Sequence, residues 1–568
     1  MRRLSLQHQT QGAWFDMRSM HRRRLQGWAP GALLCMGAIV LCGVADGCGE
    51  SNEQAVTATA VHRTIDGKGN DLSHPLWGAA GAHLRRMAPA AYADGVSAPA
   101  GPDRPSARAV SDAIIAQSES IPSRDGLSGF VFQWGQFIDH DLDLTALASP
   151  AEEFDIPVPA WDPIFDPTNT GTAVLPFFRS KYDPATGTGP DNPRQQVNEI
   201  TSFLDASMVY GSSDGRARAL RALSGGKLRT SSGDLLPLNS LGLPNVDNGT
   251  AHPEQYYVAG DLRANEQPGL TAMHTLFVRE HNRWCDVLAP VHPTWSDEDL
   301  YQEARRRVSA LVQIITFKEF LPTLLGPYAP SVDGAYMPEV DATIASEFSA
   351  ALYRVGHTML PPELPRVEND GSPAPEGPLP LSEAFFLPSN MSQPAEIEVT
   401  LKGLATLTQQ EIDSKVVDGV RNFLVGDPIA GVVLDLTSLN IQRARDHGLG
   451  SYNQVRAGLG LATASSFADI SSDLQVQQAF ASVYVSIEDV DLWVGGISED
   501  HAPGAQVGEL IATVLADQFT RLRDGDRFWY RRDPAFSARE LEATRLSDVI
   551  RRNTAITNLQ DNVFIASE

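Results

Sequence analysis

From Asp112 onward nothing in the chain reads as a linker, while apolar residues recur at i, i+3 and i+4 through one segment after another. Leu270–Leu288, Leu300–Leu321, Ala342–Leu352, Gln409–Leu424 and Val507–Leu522 all carry that spacing, which predicts a helix over each. Strand signals are scarce and short. Long Pro- and Gly-rich loops, among them Ala151–Pro193 and Leu360–Pro394, separate the periodic segments. The expected architecture is mainly α: one large domain of roughly 450–500 residues with few short strands, rather than several small domains. Residues 88–108, rich in Ala, Pro and Gly, read as an extended arm leading into it.

Composition narrows the function classes. Hydrophobic residues at 42% and charged residues at 20% describe a globular protein with ample core material. A formal charge of −25 argues against a general nucleic-acid binder, which needs clustered Lys and Arg to neutralise phosphates. Collagen, coiled-coil and multi-span membrane classes do not fit these figures either.

The first 48 residues form a separate piece. Arg22, Arg23 and Arg24 precede an apolar run from about Ala32 to Val44, followed by small residues up to Cys48, the order of a secretory signal peptide. The run falls short of the ~20 residues that span a bilayer. Ala45-Asp46-Gly47-Cys48 is an imperfect bacterial lipobox, which would put a lipid anchor on Cys48. Residues 49–61 read as a linker and 62–565 as the catalytic domain including its arm. The expected location is secreted or cell-envelope, periplasmic or extracellular. Of the four cysteines, Cys35, Cys42 and Cys48 lie in or just after the leader, so the mature chain, with Cys285, has no internal disulfide to form.

Four constellations carry chemistry-bearing residues. In Gln133–Thr145 (QWGQFIDHDLDLT), a helix would put Gln136, Asp139 and His140 on one face and turn Asp141 about 100° away. Thr201, Asp205 and Ser207, with the Phe203 carbonyl between them, offer four or five oxygens of the kind Ca²⁺ takes, and Asp141 would add a remote carboxylate. Taken alone, that segment reads equally as a capping turn. Arg263 and Glu266 stand three apart just before Pro268, a residue suited to a first helical turn. His274 and His281 on the following helix read as structural, since no HExxH is present. Finally, Tyr353-Arg354-Val355-Gly356-His357 places a His beside a Gly that lets a flat group approach, and Asn440 in LNIQRARDHG would orient that His.

Together these segments resemble the animal-type haem peroxidase superfamily. The resemblance runs from about Arg63 to Phe564 through WGQFIDHDLDLT, TSFLDASMVYGS, GDLRANEQPGLTAMHTLFVREHNR, YRVGHT, LNIQRARDHGLGSYN, DLWVGGISE and QFTRLRDGDRFWY, in the family's order. It implies a mostly α-helical single domain around a central haem b. His140 matches the distal histidine, Arg263 the distal arginine and Gln136 the distal glutamine. His357 matches the proximal iron ligand, with Asn440 accepting from its second ring nitrogen. Arg354 and Arg443 match propionate partners, and Asp139 and Glu266 the carboxylates that become ester-linked to haem. Asp141, Thr201, Phe203, Asp205 and Ser207 match the Ca²⁺ loop. The implied activity is peroxidase: hydrogen peroxide oxidises small donors (bromide, iodide, thiocyanate or phenols) through a ferryl intermediate.

Departures qualify this. Residue 267 is Gln, where a chloride-oxidising member has Met, which favours the more easily oxidised donors. Two rivals share the scaffold. A fatty-acid dioxygenase needs a tyrosine three residues before the proximal His, where this chain has Arg354, with Tyr353 four before. An adhesion protein on a peroxidase scaffold is the other, though the chain has no RGD.

Overall fold

The computed structural model describes residues 62–246, 251–422, 434–533 and 540–567. The leader, the linker and Cys35, Cys42 and Cys48 lie outside the described residues. One continuous apolar core runs from Leu84 to Phe564. Strand is confined, among the described residues, to three two-residue ladders: Ala116–Gln117 parallel to Val416–Val417, and Ile156–Pro157 and Glu363–Leu364 antiparallel to Val174–Leu175 and Leu379–Pro380.

Helix α1, Gly129–Leu142, runs through the interior. Ser128 starts it: its hydroxyl accepts from the Phe130 amide and donates to the Val563 carbonyl, so the helix start is tied to the C-terminal segment. Phe130, Val131, Trp134, Phe137 and Ile138 are fully buried, and Trp134 lies tilted or edge-on to Phe137, Phe277 and Phe564. Burying each such side chain contributes about 1.5–3 kcal/mol. Phe137→Ala would leave a cavity under the helix at a cost of about 3–5 kcal/mol.

Helix α2, Pro268–Val291, begins at Gln267, whose side chain accepts from the Gly269 amide at 2.7 Å. Gly269 is required here: a Cβ would sit 2.3 Å from Gln133 Oε1 on α1. Helix α3, Asp297–Ile315, starts in a Ser296/Asp299 capping box with three acids in its first turn. It continues through a π-turn, Thr316–Phe320, into Leu321–Leu325. The whole Asp297–Tyr328 rod is long and apolar enough to cross a bilayer, but its apolar window is 78% buried, which makes it a core helix. Helices α4 (Pro394–Thr406), α5 (Leu436–Asp446), α6 (Leu492–Ser498) and α7 (Glu509–Asp524) complete the frame.

Two sequence expectations change. Ala342–Leu352 yields only a short helix, Ser346–Ala350, and then a 3₁₀ stretch, Leu352–Met359, that carries His357. Gln409–Leu424 is not one helix. Gln410 and Glu411 accept from the backbone amides of Ile121 and Arg124, and Val416–Val417 pairs as a strand, so among its described residues only Asp418–Arg421 is helical. The β-branched Val pair favours the pleated pairing over a helix. The arm and the residues before it lie across the domain: Arg63 bonds Asp526 at 2.7 Å, the Met87 and Ala88 amides bond Glu347, and the Ala91 amide bonds the Gly448 carbonyl.

Candidate active site

α1 and the turn before α2 build one wall of the site. His140 is 3% exposed, with Nδ1 3.6 Å from Asp261 Oδ1 and Nε2 3.6 Å from Glu266 Oε2. Burial, then the Arg263 charge, hold its imidazole well below the usual histidine range. Arg263 is clamped. Its Nε and Nη2 each donate to Asp261 at 2.9 Å, Nη2 also donates to the Asp143 carbonyl at 2.8 Å, and Nη1 lies 3.6 Å from Asp139 Oδ2. Burial alone would raise the Asp261 carboxyl, but the Arg263 guanidinium, and then His140, keep it far below the carboxylate norm. The same wall thus holds a fixed cation beside a neutral base.

A row of amides completes this wall. Gln136 Nε2 donates to Glu266 Oε2 at 2.8 Å, and Gln267 Nε2 donates to Gln136 Oε1 at 3.0 Å and to Gln133 Oε1 at 2.6 Å. Burial raises the Glu266 carboxyl, opposed by Arg263; burial and then Asp143 raise that of Asp139. Gln133 and Gln267 belong to the site but were invisible as a pair, since 134 residues separate them.

The opposite wall is the Leu352–Met359 stretch against α5. Asn440 Nδ2 lies 2.8 Å from His357 Nδ1, and Arg354 Nη1 contacts Asn440 Oδ1 at 3.4 Å. The Asn440 side-chain amide thus lies between His357 and Arg354, and a 180° turn of it exchanges which end, Nδ2 or Oδ1, faces the imidazole and which faces the guanidinium. Burial and the Arg354 charge bring His357 down to about 3. Arg443 is on the same helix but points to the 154–180 loop, donating to Ser180 Oγ at 2.6 Å and the Phe178 carbonyl at 3.1 Å, over the Phe177 ring.

A haem fits between these walls on three observations. A Cβ added to Gly356 would meet nothing within 4 Å, so space is open beside His357. The carboxylates of Asp139 and Glu266, beside Arg263 and His140, are each 29% exposed, so both open onto free space. His140 Nδ1, Asp143 Oδ2 and Thr145 Oγ1 are buried without a hydrogen-bond partner. Asp143 and Thr145 went unassigned in the sequence because neither forms a motif by itself.

The 201–207 loop sits behind α1. Ser207 Oγ donates to Asp141 Oδ1 at 2.8 Å, the Ala206 amide to Asp141 Oδ2 at 3.1 Å, and the Ser207 amide to Asp205 Oδ1 at 3.0 Å. Thr201 Oγ1 donates to Asp205 Oδ1 at 3.2 Å, the Phe203 carbonyl accepts from the Asp205 amide, and Asp205 Oδ2 is buried without a partner. Burial and mutual repulsion raise the Asp141 carboxyl, and burial raises that of Asp205. Two buried carboxylates with hydroxyl and carbonyl oxygens suit a hard cation. Among the described residues no three His, Cys, Asp or Glu side chains gather as a metal site, so any such cation relies on the neutral oxygens.

Comparison with known proteins gives the family and the fold. The family model for animal haem peroxidase matches residues 62–564. Peroxinectin A of Dictyostelium discoideum is 36% identical over 519 residues, covering 88% of this chain and 95% of that protein. The solved structure of peroxidase A from the same organism superposes with a TM-score of 0.83 at 34% identity, covering 89% of this chain and 100% of the other. A fatty acid α-dioxygenase from Arabidopsis thaliana shares the fold alone, with a TM-score of 0.74 at 20% identity over 89% of this chain and 83% of its own. The chain belongs to the animal haem peroxidase family.

Proposed function

We propose that this chain is a haem-dependent peroxidase that uses hydrogen peroxide to oxidise bromide, iodide, thiocyanate or phenols. The observation that carries the reading is buried His140 beside an Arg263 clamped by Asp261, on a helix that the Tyr353–Gly135 hydrogen bond ties to the stretch carrying His357. Bound haem supplies the oxidising power, reached by cleavage of the peroxide O–O bond. The residues do the rest. His140 Nε2, free of a carboxylate hydrogen bond, takes the proton from one peroxide oxygen and returns it to the other. Arg263, held by Asp261 and unable to follow a moving charge, stabilises the negative charge that develops. Gln136 and Gln267 present amides that order water or a small anion against Glu266. His357, oriented by Asn440, and the cations Arg354 and Arg443, with Asp143 and Thr145, hold the macrocycle. Asp139 and Glu266 face the cleft where ester links would form. Ca²⁺ on Asp141, Thr201, Phe203, Asp205 and Ser207 would brace α1 from behind. Export through the N-terminal leader is part of the same reading.

The test is a pair of variants in protein produced with ample haem. His140→Ala should keep the Soret band and lose about a hundredfold or more of peroxide-dependent bromide and guaiacol turnover. His357→Ala should lose haem itself. Equal and mild effects from both would overturn the assignment. Denaturation followed by haem co-migration with the polypeptide decides whether the ester links form.

A further inference from the structure

Trp161 is, among the described residues, the only exposed tryptophan, at 68%, and its backbone is strained at φ +68°. The Asp162 amide donates to the Pro159 carbonyl at 3.1 Å, closing a four-residue turn with Trp161 in its third position. A turn with positive φ at that position normally uses Gly or Asn. No core contact repays the placement: Trp161 costs backbone strain and exposes a large apolar ring. Such an outlier points to function when something beyond stability retains it.

What the neighbouring residue reaches is the second observation. The next residue, Asp162, is buried and takes Arg108 Nε at 2.6 Å; Arg108 Nη1 reaches Asp435 at 2.8 Å, and all three side chains are at most 1% exposed. Asp435 caps α5, accepting from the Thr437 and Ser438 amides, and two residues on from Ser438 stands Asn440, 2.8 Å from His357. One line of covalent and short hydrogen bonds therefore joins the exposed indole to the proximal wall of the cleft. His140 is 3% exposed against 68% for Trp161, so the indole is the more accessible of the two rings to a polymer-bound donor.

We infer that Trp161 is a second, surface oxidation site through which phenolic donors too large for the cleft, including polymer-bound phenols, are oxidised. This rests on the peroxidase reading. Hydrogen peroxide takes up two electrons and two protons through the haem and leaves as two waters. Each electron is drawn from Trp161, whose indole N–H proton passes to solvent, leaving a neutral indolyl radical. A phenol at the surface returns one electron and one proton, restoring the indole and departing as a phenoxyl radical. Two such rounds balance one peroxide.

The experiment uses haem-loaded protein, hydrogen peroxide, a nitroso spin trap with peptide mass mapping, and two donors: free guaiacol and the same phenol coupled to a large dextran. The expected result is a trap adduct on Trp161 in the wild type. In Trp161→Phe, the ratio of dextran-coupled to free phenol turnover should fall by about tenfold or more. Trp161→Gly should show the same fall while melting no lower than wild type, because Gly relieves the turn; that separates loss of the indole from damage to the loop. Free-phenol turnover with no adduct at Trp161, or an unchanged ratio in Trp161→Phe, would overturn the inference alone. Absence of free-phenol turnover in a wild type that still oxidises bromide would overturn this inference alone; absence of both would overturn the peroxidase reading with it.

Discussion

The Tyr353 hydroxyl donates to the Gly135 carbonyl at 3.2 Å, joining the segment that carries His357 to the helix that carries His140. Its ring stacks on Phe348 at 4.3 Å and 14°, and burial, then Asp139 and Asp143, push the phenol well above its ordinary pKa. The phenol is thus spoken for: it ties two walls of the cleft together. Tyr353→Phe should keep the stacking and lose one buried hydrogen bond, about 0.5–1.5 kcal/mol of stability. Thermal melting measures that loss. A radical-forming oxygenase tyrosine would behave otherwise, and wild-type oxygen uptake with linoleate that vanishes in Tyr353→Phe would show that the rival chemistry is present.

Arg263 makes three hydrogen bonds to Asp261 and the Asp143 carbonyl that use the fork of the guanidinium. A lysine supplies charge without the fork. Arg263→Lys should therefore retain haem yet lower kcat/KM for peroxide by about 10²-fold, the usual consequence of losing one preorganised donor. Asp261→Asn, which leaves the guanidinium in place but frees it to rotate, should fall in the same direction. Stopped-flow measurement of the peroxide reaction decides it, and a Lys variant as fast as wild type would remove Arg263 from the mechanism.

Asp141 and Asp205 converge on Ser207 with almost no solvent, at 0% and 1% exposure. Without a cation their buried charges repel. Prolonged dialysis against EGTA should lower Tm by about 5 °C or more, because a ligand that binds only the folded state stabilises it by mass action. Ca²⁺ should restore the loss and Mg²⁺ should not, since Mg²⁺ demands a small octahedral shell that mixed carboxylate, hydroxyl and carbonyl oxygens do not form. A melting curve indifferent to EGTA would leave the loop as a capping turn.

Different parts of this molecule are legible in its sequence to different depths. Helices with a broad apolar stripe and a cap, such as α2 behind Gln267-Pro268, were legible because local chemistry and burial agree there. Gln409–Leu424 misled because its apolar spacing satisfies a helical template while Gln410 and Glu411 are claimed by partners about 290 residues away. Pro394–Thr406 was passed over because it follows a proline-rich loop, although Pro394 is simply its first-turn residue. In the site, residues inside a motif, such as His140 or Arg263, announced themselves. Gln133, Asp143 and Thr145 lie in the same Gln133–Thr145 motif as His140 yet did not, because their roles exist only after α1 has been folded against α2 and the Leu352–Met359 stretch. The pairing of Gln133 with Gln267 is a tertiary fact with no local signature.

Glu319 supplies a pH test away from the cleft. It lies in the π-turn after α3, where Oε1 accepts from the Leu546 amide at 2.9 Å and Oε2 is buried without a partner. Burial pushes its carboxyl up to about 7, only partly opposed by the Leu546 amide and Arg545. In the unfolded chain a glutamate titrates near its ordinary value of about 4.3. The folded protein therefore holds this proton more tightly than the unfolded chain does. The associated stability is fully present below the unfolded value and is lost progressively as pH rises through about 7. Glu319→Gln keeps an acceptor for the Leu546 amide and removes the titration. Melting curves recorded from about pH 5 to pH 8.5 should show the variant gaining on wild type as pH rises, with little difference at the acid end. Parallel curves across that range would mean that water reaches Oε2 and that the carboxyl is ionised throughout.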